Sequence, residues 1–211
     1  MNQYKTFTFN PLGVNTTIVW SGTRGLIFDP ACHTDEEFEI LNQFIEKNNI
    51  QEIDILQTHA HFDHLMGVNA ISSKYTSSLK MHKDDLFLLE NAVAMAARFG
   101  ILMDEVRIPD EYLDESKTIN IGDEIVSLLH VPGHSPGSLC YHFPTSKIII
   151  VGDVLFRGSI GRTDLPGGDM RLLVNGIQSK LLTLPEDTVV ISGHGASTSI
   201  GDEKRTNPFI Q

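Results

Sequence analysis

The sequence predicts an α/β fold in which two β-sheets are sandwiched between helices. Three observations carry this: runs with period-two alternation or short apolar character occur in both halves of the chain, amphipathic helical stretches separate them, and the order is strands, helix, strand, helices, then strands, helix, strand. At 211 residues the chain can bury a substantial core, and a single domain spanning 1–211 is expected. An apolar fraction of 41% and a charged fraction of 20% are ordinary globular values, and no low-complexity linker or strict short-period repeat interrupts the chain.

The elements follow in order. "YKTFTFN" alternates apolar and polar residues, and "TTIVW" and "GLIFD", separated by "SGTRG", give two further strands of a meander. From Thr34 the spacing changes to three and four through Phe38, Leu41 and Ile45, and Asp35, Glu36 and Glu37 suit a helix start. "EIDILQT" returns to strand character, and "DHLMGVNAISSKY" reads as a second helix with Asp63 and His64 in its first turn. After the short strand "SLKMH", residues 83–99 form a helical segment with Leu86, Leu89, Val93 and Ala97 on one stripe, read as packing surface, and the methionines and phenylalanines of 81–103 read as cover for the sheet or, in part, a roof for a pocket. Residues 109–117 are polar and turn-rich. "TINIGDEIVSLLHV" then gives two strands around Gly122-Asp123, "SLCYHF" and "KIIIVGD" two more, "DMRLLVNGIQSKLLTL" the last long helix and "TVVISGHG" the last strand.

Composition excludes several classes. The longest aliphatic run, "IIIV" at 148–151, is far too short for a bilayer span, and "MNQYKTFTFN" lacks the apolar core of a signal peptide, so a cytoplasmic protein without membrane contact is expected. Cys32 and Cys140 form no zinc-ribbon spacing and read as reduced packing residues. A net charge of −11 argues against nucleic acid as a partner.

The informative feature is "QTHAHFDHLMG" at 57–67, with three histidines and an aspartate within six positions. Three further strand exits also end in metal-capable residues: "PGHSPGS" with His134, "VGD" with Asp153 and "SGHG" with His194. Strand ends are where a rigid frame aims side chains from distant sequence into one pocket. The set His59, His61, Asp63, His64, His134, Asp153 and His194 is too large for one tetrahedral cation and suits two, provided that one carboxylate bridges them. Gly133, Gly152, Gly193 and Gly195 flank these points and permit sharp turns. His33, His82, His130 and His142 lack this setting and read as structural or solvent-facing. Asp29, ending "GLIFD", is a candidate acceptor to orient a ligand histidine, or an ordinary turn residue.

These motifs resemble the metallo-β-lactamase superfamily over nearly the whole chain, through HxHxDH followed by H, D and H. The resemblance implies a four-layer αββα sandwich, two mixed sheets flanked by helices. Within the superfamily the chain is similar to short bacterial forms of glyoxalase II, hydroxyacylglutathione hydrolase, which carry "GDVLFRGSIGRTDLPGGD" and a closing "NPF". It implies that His59, His61 and His134 hold one divalent metal ion, that Asp63, His64 and His194 hold a second, and that Asp153 bridges. Arg162, nine residues after Asp153, stands where such enzymes place a basic residue against the thiol peptide. Longer members add a helical domain beyond the point where this chain stops, at Gln211, and Ala196 stands where the family often has a tyrosine.

The expected chemistry is thioester hydrolysis by a metal-bound hydroxide, S-lactoylglutathione giving lactate and glutathione, with no acyl-enzyme. Asp63 and Asp153 are the candidate catalytic residues, offsetting part of the metals' charge. Arg157 and Arg162 are the candidate substrate-binding residues at the mouth. Zinc is the first choice of metal, and imidazole and carboxylate ligands also suit iron and manganese. The rival readings are a mononuclear iron dioxygenase acting on glutathione persulfide, suggested by "GRTD", and a dinuclear lactonase or other acyl hydrolase. A non-catalytic metal protein and an RNA-processing enzyme rank below these.

Overall fold

The computed structural model describes residues 2–210. One sheet runs in the order β1 (Gln3–Phe9), β2 (Val14–Ser21), β3 (Arg24–Phe28), β4 (Glu52–Leu56), β5 (Ser77–Met81) and β6 (Glu111–Tyr112), antiparallel across β1 to β3 and parallel from β3 to β6. The other sheet runs β14 (Thr198–Ser199), β13 (Val189–Ser192), β10 (Ile148–Gly152), β9 (Leu139–Phe143), β8 (Glu124–His130) and β7 (Thr118–Ile121), with only the β10–β13 pair parallel. Both sheets are therefore mixed, as expected. A small hairpin of β11 (Leu155–Phe156) and β12 (Ser159–Ile160) stands apart from them.

The side-chain period of two sorts each strand onto two cores. Val19, Leu26, Phe28 and Leu56 face Leu128, Tyr141, Phe143 and Ile150 between the sheets, while their neighbours Ile18, Trp20, Ile27 and Ile55 face the helices α1 (Asp35–Lys47) and α2 (Val68–Lys74). A third core places Ile149, Val151 and Val190 under α5 (Met170–Gly176), the π-helical turn Ile177–Leu181 and α6 (Ile200–Thr206). Three apolar layers between four backbone layers make the αββα sandwich. Phe28 sits at the centre, edge-on to Tyr141 at 4.9 Å and Phe143 at 6.0 Å. Removing one methylene from the inner layer by Ile150→Val is expected to cost about 0.5–1.5 kcal/mol, read as a fall of roughly 1–6 °C in Tm.

The helix α1 starts where the spacing changes, and Thr34 and Glu37 form a reciprocal capping box there. Elsewhere the local signals yield to tertiary demands. Phe62–His64 is a separate 3₁₀ turn and α2 begins only at Val68, so Asp63 and His64 do not lie in the first turn of that helix. The segment 83–99 is a 3₁₀ turn, Lys83–Asp85, followed by α3 (Leu86–Glu90) and α4 (Ala92–Arg98), broken where Asn91 bonds back to the Phe87 carbonyl through both backbone and side chain. The polar stretch 109–117 contributes β6 at the sheet edge. No helix among the described residues is long and apolar enough to cross a membrane.

Candidate metal centre

Four strand exits, after β4, β8, β10 and β13, converge on one end of the sandwich and bring all seven candidate ligands together. His59 Nε2 lies 3.2 Å from His134 Nε2, which lies 2.9 Å from His61 Nδ1. His64 Nε2 lies 3.3 Å from His194 Nε2, and Asp63 Oδ2 is 3.4 Å from the latter. Asp153 stands between the groups: Oδ1 is 3.5 Å from His64 Nε2, and Oδ2 is 3.6 Å from His134 Nε2 and 3.5 Å from His194 Nε2. Two triads, His59–His61–His134 and Asp63–His64–His194, thus have the closeness that a single cation requires, and the Asp153 carboxylate lies within 3.6 Å of both.

The tautomers are set from behind. His134 Nδ1–H donates to the Arg162 carbonyl at 2.9 Å, and His194 Nδ1–H donates to the Leu12 carbonyl at 3.1 Å. His64 Nδ1 meets Asp29 Oδ2 at 3.0 Å. Thr58 Oγ1 donates to Asp29 Oδ2 at 2.6 Å and is left to accept from His59 Nδ1–H at 3.1 Å. With Nδ1 committed on these four rings, each ring in its neutral form turns an Nε2 lone pair inward. Lone pairs opposed at 3.2 Å repel unless a cation or proton lies among them. Asp153 Oδ1 is likewise buried without a hydrogen-bond partner, and a Cβ on Gly193 would collide with it. The donor set, three imidazoles beside two imidazoles and a carboxylate with a shared carboxylate, fits two divalent ions.

Supporting contacts come from distant sequence. Asp29, held at φ 48° at the end of β3, also accepts the Thr58 amide at 2.7 Å, so one carboxylate braces ligands of both triads. Asn15 donates to the Ser192 and Gly195 carbonyls at 3.0 and 2.9 Å, tying the His194 loop to β2. The ligands open into a cavity of about 230 Å³ walled by Leu12, Phe62, Met95, Phe99 and Leu165, with Arg162 at its rim. Arg162 is exposed and pairs bidentately with Asp164 at 2.8 Å. Arg157 is not in this cavity: it sits at the tip of the β11–β12 hairpin and lines a separate groove with Ser197, Thr198 and Asp202. His33 is exposed, and His82 stacks on His130 at 4.3 Å. Burial pushes the Cys32 thiol up to about 12 and raises Cys140 too, so neither offers a thiolate at neutral pH. Met95 and Phe99 place part of the 81–103 segment over the ligands, whereas Asp85, which holds two of the ligand loops, carries no sequence motif and escapes a reading of the chain.

Electrostatics divide the two triads. Burial, then the neighbouring histidines, hold His59 well below its usual range and His61 at about 3, so both are neutral imidazoles. Burial also lowers His64, but Asp63, Asp153 and Asp29 outweigh it and raise this group from 6.5 to about 10. In protein stripped of metal, a proton on His64 therefore stabilises the fold, fully below pH 6.5 and decreasingly as the pH climbs towards 10. A cation bound there replaces that proton. Metal-stripped protein is expected to lose Tm steadily between those limits while metal-loaded protein does not, and calorimetric titration at neutral pH is expected to show proton release on metal uptake.

An imidazole and carboxylate cluster of this make-up, at the strand ends of an αββα sandwich, defines a metal-dependent hydrolase. The chain belongs to the metallo-beta-lactamase superfamily, whose family model matches residues 9–194. It is 35% identical over 199 residues to the hydroxyacylglutathione hydrolase GloC of Haemophilus influenzae, covering 93% of this chain and 92% of that one. Among solved structures it is similar to the BLEG-1 B3 metallo-beta-lactamase, with a TM-score of 0.90 and 36% identity over 99% of this chain and 100% of that one. It is also similar to TTHA1623 in a di-iron-bound form, with a TM-score of 0.87 and 36% identity over 97% and 99% of the two chains.

Proposed function

We propose that the chain is a dinuclear metallohydrolase that cleaves glutathione-type thioesters, S-lactoylglutathione to lactate and glutathione, in the cytoplasm. The observation that carries the reading is the Asp153 carboxylate, within 3.6 Å of an imidazole nitrogen from each triad. His59, His61 and His134 would hold one cation, Asp63, His64 and His194 the other, and Asp153 would bridge. The di-iron relative supports the count of two, and the GloC relative supports the substrate class. Zinc is the proposed metal, with iron and manganese as the ions the same donors also suit.

Such ions supply Lewis acidity and bring the pKa of water from 15.7 to about 7. The remaining work falls to the chain. Leu12, Phe62, Met95, Phe99 and Leu165 exclude bulk water from the reacting carbonyl and strengthen the electrostatics around it. Arg162 at the rim offers an anionic substrate a cation, in exchange for its contact with Asp164. A thiolate is a stable leaving group, which matches the lack of an uncommitted general acid among the seven ligands. The test is a substrate panel on metal-loaded protein: S-lactoylglutathione, simple lactones, β-lactams, and glutathione persulfide with oxygen consumption recorded. Turnover of the thioester without oxygen uptake supports the proposal. Turnover confined to β-lactams or lactones, or persulfide oxidation with one bound iron, contradicts it.

A further inference from the structure

Asp85 ends the 3₁₀ turn after β5, and its side chain is fully buried. Its carboxylate receives three hydrogen bonds and faces no cationic side chain among them. Oδ2 accepts from the Ala60 amide at 3.0 Å and from Ser135 Oγ at 2.8 Å, and Oδ1 accepts from the Gly137 amide at 2.6 Å. Ala60 is the residue between His59 and His61, and Ser135 follows His134. The three histidines of one triad thus come from loops leaving two different sheets, and a single carboxylate joins those loops at their amides. The joint is close-fitting: a Cβ on Gly137 would lie 2.7 Å from Asp85 Cγ. Ser138 Oγ adds a bond to Ser135 Oγ at 2.8 Å and accepts the Ser135 amide at 3.2 Å, fixing the hydroxyl that Asp85 receives. None of these bonds reaches Asp63, His64 or His194, whose bracing comes from Asp29, Asn15 and the Leu12 carbonyl.

We infer that Asp85 is a positioning residue for the His59–His61–His134 triad, setting the spacing of these rings and so the affinity of that cation site relative to its neighbour. The inference rests on the two-cation reading above. Without the carboxylate, the His59–His61 loop and the strand after the His134 loop stay joined by the Leu139 amide on the Thr58 carbonyl at 2.8 Å and the Tyr141 hydroxyl on the Gln57 carbonyl at 2.8 Å, both behind His59, while the tie at Ala60, Ser135 and Gly137 that flanks the ligand rings is lost. Partners at this remove from a metal change its affinity by about 10- to 100-fold.

The experiment is a cobalt titration of metal-stripped, full-length protein, following the ligand-field absorption of each site in competition with a chelator. His61→Ala and His194→Ala titrations identify which step belongs to which triad. Asp85→Asn keeps the shape but sets an amide NH2 or a weaker acceptor against backbone donors. It is expected to weaken the three-histidine step about 10- to 100-fold and leave the other step within twofold of wild type. Ser135→Ala removes one of the three bonds and is expected to act on the same step more weakly, so the comparison stands even if Asp85→Asn fails to fold. Leu41→Ala, a remote core change in α1, is expected to lower Tm without separating the two steps. Equal weakening of both steps, or no change in the three-histidine step in both Asp85→Asn and Ser135→Ala, overturns the inference while leaving the two-cation reading intact. A wild-type protein that takes up fewer than two cobalt ions overturns both.

Discussion

Asp153→Ala is expected to lower hydrolytic turnover by about 10²- to 10³-fold or more and to reduce bound metal below two ions per chain. Its carboxylate lies 3.5–3.6 Å from imidazole nitrogens of both triads, and its Oδ1 is buried without a hydrogen-bond partner. Removing it leaves two clusters of positive charge unshielded from each other and opens a coordination position on each. Losing several kcal/mol of transition-state charge stabilisation corresponds to that range of rates. Paired steady-state kinetics and metal analysis of the same sample check it. Normal turnover with a full metal complement would contradict the bridging role.

Asp29→Ala is the second large effect, and it acts from behind the ligands. The side chain accepts from Thr58 N and Thr58 Oγ1 and holds His64 Nδ1, so its loss frees two ring orientations at once. The buried Thr58 amide is left without its acceptor, at a cost of about 1–3 kcal/mol. Alanine at φ 48° adds left-handed strain of roughly 1–2 kcal/mol. Together these predict a fall in Tm of roughly 4–20 °C and a metal affinity weaker by about 10- to 100-fold at both sites. Chelator competition and thermal melts measure the two parts separately. A variant with wild-type metal affinity would show that the Asp29 contact orients nothing.

How far the fold and site are legible in the sequence depends on where the controlling physics lies. The strands show because their period of two is imposed by two cores at once, as with Ile18 and Val19 or Ile27 and Phe28, which face opposite layers. The candidate ligands show because imidazoles and carboxylates gather just after apolar strands, in loops that can turn. What stays hidden depends on contacts remote in sequence. Gly67 packs against Pro30 and Cys32, its amide donating to the Pro30 carbonyl at 2.8 Å, and α2 begins only after it, at Val68. Arg157 lies four residues after Asp153, yet the β11–β12 hairpin carries it to another face. Asp85 sits in a segment whose pattern signals packing, and its partners are two amides and a hydroxyl from loops 25 to 52 residues away. No spacing rule predicts such a contact.

The central claim is that this chain holds two divalent ions in one shared cluster. Protein stripped with chelator, reloaded with excess zinc, dialysed and analysed for metal tests it most directly. Two zinc ions per chain, falling to one in His61→Ala and in His194→Ala, are expected. Metal at background level, or a single ion that survives both substitutions, would contradict the account.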